Sequence, residues 1–193
     1  MIKNEAITAL KVFILFSAIT GILYPLSITA IAQITMPYQA NGSLIKENNK
    51  IIGSKLIGQD FIDPKYFQSR PSAAGKGYDA SNSGATNLGP SSKKLINQVT
   101  DRIKKVRIDN NLKQDQNIPA DMVLTSASGL DPHISIENAM LQTARVTRLN
   151  NISEKEVKSL ITKNTEPDFI GLWGQPGVNV LELNLDINKV SRK

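Results

Sequence analysis

The single histidine of this chain lies in a short stretch that also carries two serines and an aspartate. His133 follows Ser126, Ser128 and Asp131 within seven positions. A nucleophilic serine, a histidine base and a carboxylate that orients the base are the parts of a hydrolase triad, although triads are assembled in space rather than along the sequence. One hypothesis for this protein is therefore a hydrolase that uses Ser126 or Ser128 with His133.

The local sequence favours a structural turn over a catalytic site. The serines stand in Ser-Ala-Ser-Gly, which lacks the strained G-x-S-x-G turn of many serine hydrolases. Pro132 disfavours a helical conformation at Asp131 and leaves that carboxylate free to accept hydrogen bonds from nearby backbone amides. With one histidine and no cysteine the chain lacks the common zinc ligand sets, so we expect no metal site.

An uncharged segment near the N-terminus predicts a transmembrane helix from residue 12 to residue 35. No charged residue lies between Lys11 and Lys46, and a helix of this length rises about 36 Å, enough to cross a hydrocarbon core of about 30 Å. We expect a kink near Pro25. The run Ala30-Ile31-Ala32 is similar to a signal-peptide cleavage site, but the apolar stretch exceeds the roughly 7–15 residues of such peptides, which favours a retained anchor.

The cations on either side of this segment predict its orientation. Lys3 and Lys11 precede the segment, whereas the first cation after it is Lys46, so the basic N-terminal flank is expected in the cytoplasm. The expected organisation is a cytoplasmic N-terminus at 1–11, a membrane helix at 12–35, a connector at 36–42 and an exterior domain at 43–193. A hydrolase of this kind would thus be anchored in the membrane and act outside.

The exterior domain is mildly basic. From residue 40 onward the chain carries 21 Lys and Arg against 16 Asp and Glu, and no aromatic residues are interleaved with the cations. This charge is typical of a solvated surface and does not indicate a nucleic-acid partner. Six cations fall within 90–111, where we favour a solvated outer face over contact with lipid headgroups or an acidic partner: Lys93, Lys94, Arg102, Lys104, Lys105 and Arg107.

The first half of this domain is predicted to contain a hairpin followed by a long loop. Asn48 and Asn49 between two short apolar runs predict a β-hairpin. Residues 61–92 predict a long loop that is rich in Gly, Ser, Asn, Ala and Pro. Its aromatic residues favour an ordered contact surface over a flexible linker: Phe61, Tyr66, Phe67 and Tyr78.

The second half of the domain predicts three helices and a final strand. Apolar spacing indicates one helix within 91–111, a second from Ser135 to about Leu149, and a third after the capping box of Ser153 and Glu156. Alternation of apolar and polar residues over 178–188 predicts a half-buried strand, with Leu181, Leu183, Leu185 and Ile187 on its buried side. The predicted fold class is an α+β exterior domain with one N-terminal transmembrane helix.

Several kinds of transport machinery are missing from the sequence. The chain has no G-x-x-x-x-G-K-[ST] nucleotide loop, no Asp-Lys-Thr-Gly phosphorylation sequence and no potassium-filter sequence similar to T-V-G-Y-G. A single helix does not enclose a transport path by itself. These observations indicate an accessory subunit rather than an enzyme.

Four motifs in order resemble the C subunit of the Kdp-type potassium-transporting ATPase, the KdpC family. They are FIDPKYFQSRPSAAG followed by YDASNSGATNLGPSS, then TSASGLDPHIS with QTARVTR, and finally GLWGQPGVNVLELNLDIN. The resemblance runs across nearly the whole chain. It implies a bacterial inner-membrane complex in which the A subunit carries potassium, the B subunit hydrolyses ATP, a small F subunit accompanies them, and the C subunit is needed for assembly and activity.

The resemblance also implies a regulatory role and particular residues. Family members are described as catalytic chaperones that raise the ATP affinity of the B subunit, so ATP is expected only jointly with that subunit and no cofactor is expected to bind tightly. The residues likened to nucleotide signatures correspond to Ser126, Ser128, Gly129 and Gln142. An exterior domain is separated from cytoplasmic ATP, which favours a stabilising cap over the outer mouth of the A subunit. Candidate subunit contacts are Arg70, Pro71, Asn82, Asn87, Asp131 and His133.

Overall fold

The computed structural model describes residues 2–168 and 174–191 and divides into two compact units, residues 1–44 and 45–193. The start of the last family motif, at 171–173, lies outside the described residues.

The N-terminal unit is one long apolar helical run. It consists of α1 (Ile2–Ala18), a π-helical turn (Ile19–Leu23) and α2 (Tyr24–Thr35), followed by one short turn of helix, α3 (Pro37–Ala40). The wide turn ends at Tyr24, whose N–H bonds the carbonyl of Ile19 directly before Pro25. Proline lacks an N–H and its ring crowds the preceding turn, so a wider turn here accommodates it. Within the described residues, Lys3–Thr35 is the one helix long and apolar enough to span a membrane.

The second unit opens with the predicted hairpin. Strands β1 (Leu44–Glu47) and β2 (Lys50–Ser54) form a two-stranded sheet. Asn48 and Asn49 at the turn adopt positive φ angles of 49° and 61°. A two-residue turn with positive φ at both positions matches the twist of the flanking strands, and asparagine tolerates that conformation well. The hairpin prediction is confirmed.

Three helices lie where the apolar spacing and caps predict them. They are α4 (Lys93–Asn110), α5 (Ile136–Asn150) and α6 (Glu154–Lys163). The hydroxyl of Ser135 accepts a hydrogen bond from Asn138 N at 3.1 Å, and that of Ser153 accepts one from Glu156 N at 3.2 Å. Each bond satisfies an N–H group that the first helical turn leaves unpaired.

The predicted final strand is wrong over most of its length. Only β5 (Gly177–Asn179) is extended, and Val180–Ser191 forms helix α7. Asn179 Oδ1 accepts a hydrogen bond from Glu182 N at 3.1 Å, which is a helix cap. Val180, Leu183 and Ile187 are buried at spacings of three and four residues, so helical burial outcompetes the alternation that indicated a strand.

A small antiparallel sheet joins the helices. Its strand order is β3 (His133–Ile134), β5 and β4 (Thr165–Glu166), with His133 opposite Asn179 and Glu166 opposite Gly177. Helix α5 packs against α4, α6 and β5, and α7 packs against α6 and β5. The α+β fold class is therefore confirmed, with a core formed by Phe67, Ile134, Ala139, Val146, Ile152, Val157, Ile161, Val178, Val180, Leu183 and Ile187.

Candidate functional site

The long loop after the hairpin is held in place by buried side-chain amides. Asn184 Oδ1 accepts from Phe67 N at 2.8 Å and its Nδ2 donates to Phe67 O at 2.9 Å. Gln142 does the same for the next residue, accepting from Gln68 N at 2.8 Å and donating to Gln68 O at 3.1 Å. Two amides thus satisfy the backbone groups of a segment that has no strand partner there.

Two further side chains from α5 donate hydrogen bonds to the backbone carbonyls of residues 64–66. Arg145 donates to the carbonyls of Pro64 and Tyr66, and Asn150 Nδ2 donates to Lys65 O at 2.7 Å. Burial lowers the pKa of Arg145 to about 10, which leaves the guanidinium charged at neutral pH. Phe67 is fully buried in the core. The prediction that aromatics anchor the loop is confirmed, while its use as a contact surface stays a prediction.

The segment from Ser126 to Gly129 is a tight turn whose polar groups bond one another. Ser126 Oγ accepts from Gly129 N at 3.0 Å, and Ser128 Oγ accepts from Leu130 N at 3.1 Å. Gly129 has a positive φ of 68°. A side chain there would lie 2.6 Å from both Ala74 N and Gly84 O, so only glycine fits.

The loop at 72–84 closes over this turn. Ser128 O accepts from Gly84 N at 2.8 Å and from Ser83 Oγ at 2.9 Å. Gly129 O accepts from Ser72 Oγ at 2.7 Å. The carbonyls of Ser128 and Gly129 are thus already used inside the protein. The sequence prediction of a structural turn at Asp131 is confirmed, because Asp131 Oδ1 accepts a hydrogen bond from His133 N at 3.0 Å.

A chain of alternating charges starts at the turn. Arg70 Nη1 lies 2.9 Å from Asp131 Oδ2, and Asp131 Oδ1 lies 3.7 Å from His133 Nδ1. His133 Nε2 lies 3.2 Å from Glu166 Oε2. The ring and the carboxylate come from strands on either side of β5, and they meet beside Gly177, which has no side chain to separate them. This last contact is an ion-pair contact rather than an aligned hydrogen bond.

The chain of charges continues into the hairpin and α7. Lys55 Nζ lies 2.9 Å from Glu166 Oε1 and 3.2 Å from Glu182 Oε2. Positive and negative groups therefore alternate from the long loop to the last helix. We call this set the charge network: Arg70, Asp131, His133, Glu166, Lys55 and Glu182.

The network shifts the ionisation of its own members. The carboxylate of Asp131, and then that of Glu166, outweigh the effect of burial and raise the pKa of His133. Burial alone would raise the pKa of Asp131. The hydrogen bonds from His133 and the charge of Arg70 outweigh burial and lower the pKa of that carboxyl. Burial alone would also raise the pKa of Glu166, but the hydrogen bond from Lys55 and the charge of His133 lower it. The network thus stabilises the protonated form of His133 relative to an isolated histidine side chain.

An open groove runs beside the network. It has a volume of about 1110 Å³ and is lined on one side by Arg70, Asp131, His133 and Glu166. Residues 116–121, residues 134–141 in part, Pro167 and residues 175–177 also line the groove. Among the described residues no group of three or more His, Asp and Glu side chains is arranged to hold a metal ion.

The serines and the histidine do not form a catalytic pair in this structure. Both ring nitrogens of His133 face carboxylates, and Ser126 and Ser128 accept from backbone N–H groups. A serine nucleophile needs its base within hydrogen-bond reach. The structure therefore gives the hydrolase hypothesis no support.

The other candidate residues are spread over the domain. Gln142 is buried and bonds Gln68, Asn138 and Arg145, so it is not brought together with the Ser126 to Gly129 turn. Pro71 is half-buried, whereas Asn82 and Asn87 are exposed on the loop that follows. Arg70, Asp131 and His133 are brought together in the charge network. The interface and nucleotide roles of all these residues stay predictions.

Sequence reasoning missed three members of the network. Lys55 lies more than one hundred positions before Glu166 and Glu182, and no local pattern links the three. Strand β4 has only two residues, too short to show alternation. Asn179 is followed three residues later by Glu182, which is the spacing of a capping box. This spacing was the signal in the sequence that α7 begins after Asn179.

Comparison with known proteins identifies the family. The family model described as "K+-transporting ATPase, c chain" matches residues 6–189, which covers both units and every element of the site. This chain belongs to the KdpC family. The match therefore includes the apolar helix, the anchored loop, the serine-glycine turn and the charge network.

Individual KdpC relatives agree over nearly their full length. A "Potassium-transporting ATPase KdpC subunit" of Koribacter versatilis is 47% identical over 186 residues, covering 96% of this chain and 95% of the relative. That of Mycobacterium tuberculosis (strain ATCC 25618 / H37Rv) is 44% identical over 188 residues, covering 97% and 100%. That of Beijerinckia indica is 49% identical over 177 residues, covering 91% and 88%.

Proposed function

We propose that this chain is the non-catalytic C subunit of an ATP-driven potassium-uptake complex and is needed for its assembly and activity. Its partners in this proposal are the potassium-carrying A subunit, the ATP-hydrolysing B subunit and the small F subunit. The observation that carries the proposal is the family match over 6–189, which spans the membrane-helix candidate and the exterior domain together. The polar side chains of the candidate site are committed to the protein's own backbone and ion pairs, as expected of a structural subunit.

The proposal places the chain in the bacterial inner membrane with its N-terminus in the cytoplasm. The basic residues Lys3 and Lys11 support this orientation. The exterior domain then acts as a stabilising cap over the outer mouth of the A subunit. The loop at 61–89 and the turn at 129–135 are its proposed contact surfaces, because they are irregular yet held by hydrogen bonds.

The chaperone-like effect on ATP affinity is proposed to act through the complex. Gln142 is 1% exposed and bonded on both amide atoms, so direct contact with a nucleotide would first require the loop at Gln68 to detach. The N–H groups of Gly129 and Leu130 are likewise bonded to serine hydroxyls. A subunit that fixes the A and B subunits in their active arrangement raises ATP affinity without touching ATP.

Potassium-stimulated ATPase activity tests this function. Deleting the subunit from the complex is expected to abolish the activity, and supplying the full chain should restore it. A variant combining Ser126→Ala and Ser128→Ala is expected to restore activity as long as the complex assembles. Loss of activity in a fully assembled complex of that variant would contradict the non-catalytic role.

A further inference from the structure

The outward side of α4 carries four exposed lysines: Lys93, Lys94, Lys104 and Lys105. Residues eleven positions apart on a helix are separated by only about 20° around its axis, so these lysines form two rows along one side. Among the described residues Lys93, Lys94 and Lys105 form no ion pair, and Lys104 lies 3.6 Å from the exposed Asp101. Four lysines against Asp101 therefore leave this side with a net positive charge.

The two arginines of the same helix are used differently. Arg102 Nη1 donates to Val123 O at 2.9 Å, and Arg107 Nη2 donates to Gln116 O at 3.0 Å. Both arginines thus hold the chain segment that follows α4. The lysines have no such structural task, so their charge is available to a partner.

Two exposed isoleucines flank the C-terminal end of this lysine face. Ile62 is 82% exposed and Ile108 is 79% exposed, the highest values for large apolar side chains in the described part of the exterior domain. Ile62 lines the same depression, of about 360 Å³, as Lys105 and Asp109 of α4. Exposed aliphatic side chains next to unpaired lysines are typical of surfaces that lie on a membrane.

The short connection to the apolar helix limits how far the domain can lie from a bilayer. The eight residues between the end of α2 and the start of β1, 36–43, span at most about 27 Å when fully extended. A retained anchor therefore holds the domain within reach of lipid headgroups at high effective concentration. Anionic headgroups attract lysines that stand at the membrane surface.

We propose that the lysine face of α4, with Ile62 and Ile108 at its end, binds anionic phospholipid headgroups and so fixes the orientation of the exterior domain on the membrane. The inference rests on the retained anchor of the proposed function. Sequence alone favoured a solvated face, since it did not distinguish the lysines from the arginines that bind backbone carbonyls. Helix α6 provides the contrast, because its exposed side carries mixed charges and the ion pair Lys158–Glu154 at 2.6 Å.

A fluorescent probe on the full chain tests the proposal, and the absence of cysteine makes single-site labelling straightforward. Asn97→Cys places an environment-sensitive dye between the lysine pairs, and Lys155→Cys places it on α6 as a control. The full chain is inserted in nanodiscs of phosphatidylcholine, with or without phosphatidylglycerol, that carry spin-labelled headgroups. We expect quenching of the Asn97 probe only with phosphatidylglycerol, reversal by high salt, and no quenching of the Lys155 probe.

Charge variants provide the matched comparison. Combined Lys94→Gln and Lys105→Gln is expected to reduce the docked population relative to the undocked one by roughly fivefold for each lysine, whereas Lys94→Arg with Lys105→Arg keeps it. Equal signals in neutral and anionic nanodiscs, or no effect of the glutamine variant, would overturn the proposal. The proposal would also be overturned if the Asn97 probe were shielded in the assembled complex regardless of lipid charge, because that result indicates a protein partner.

The two proposals fail separately in these experiments. If the Asn97 probe is quenched in anionic nanodiscs but the chain never co-purifies with pump subunits, the lipid-binding proposal is supported and the proposed function is rejected. Co-purification without lipid-dependent quenching would reject the lipid surface alone.

Discussion

Gln142 and Gln68 are joined by two hydrogen bonds, one to each backbone group of Gln68, at 2.8 and 3.1 Å. Gln142, which the family resemblance likened to a nucleotide contact, therefore has a structural role. It holds the anchored loop to α5 in the way that a neighbouring strand would.

Replacing Gln142 should destabilise the unit at 45–193. Gln142→Ala leaves both backbone groups of Gln68 without partners and removes an acceptor of Arg145, which costs about 3 kcal/mol of unfolding free energy. Urea unfolding of the full chain in detergent measures this loss. Asn82→Ala, at an exposed position whose φ is not positive, is the control and should change stability by less than about 0.5 kcal/mol. Unchanged stability of Gln142→Ala together with weaker ATP binding by the complex would instead support direct nucleotide contact.

A methyl group at Gly129 should break the closure of the loop at 72–84 over the serine turn. Gly129→Ala adds an atom 2.6 Å from Ala74 N and Gly84 O at a positive φ, which costs roughly 3 kcal/mol or more. Limited proteolysis should then cut the loop at 72–89 faster. Gly89→Ala is the matched control, because nothing lies within 4 Å of its added carbon. Equal cleavage rates for the two variants would show that the close approach is unimportant.

The single histidine should make stability depend on pH near neutrality. Its pKa is raised in the folded state, so the stabilisation is complete below the ordinary histidine pKa of about 6.5 and is lost as pH rises through the folded-state pKa. The ring is one-third exposed, so we expect a loss of at most about 1 kcal/mol between pH 6 and pH 8. Urea unfolding of wild type and His133→Gln across this range measures it. Identical pH profiles for the two proteins would mean that the network does not bind the charged ring.

The orientation of the chain can be tested with the same cysteine-free background. Asn87→Cys should react with a membrane-impermeant maleimide added outside intact inner membranes, because its side chain is exposed and the proposed orientation puts this domain outside. Asn4→Cys should react only after the membrane is permeabilised. The reverse pattern would place the domain in the cytoplasm and remove the objection to direct ATP contact.

Elements with strong local signals were predictable from the sequence. The spacing of Leu95, Val99, Ile103 and Val106 and the capping serines indicated α4 to α6, since helical burial and caps depend on residues three or four positions apart. Helix α7 was not predicted because Leu183 and Ile187, four positions apart, fit both alternation and helical spacing. Its identity depends on the Asn179 cap and on packing against α6 and β5.

The site was predicted only in part, and for a physical reason. The turn at Asp131 and the partnership of Asp131 with His133 lie within a few positions, so local chemistry indicated them. Lys55 and Glu166 join them only after β4 and β5 pair, and Gln142 meets Gln68 only after the loop docks. Contacts between distant segments follow from the packed fold rather than from any local pattern.

Affinity purification of the tagged full chain from detergent-solubilised membranes tests the central claim most directly. The account predicts that the potassium-carrying and ATP-hydrolysing subunits co-purify with it in stoichiometric amounts. Recovery of a folded chain without either subunit would contradict the account.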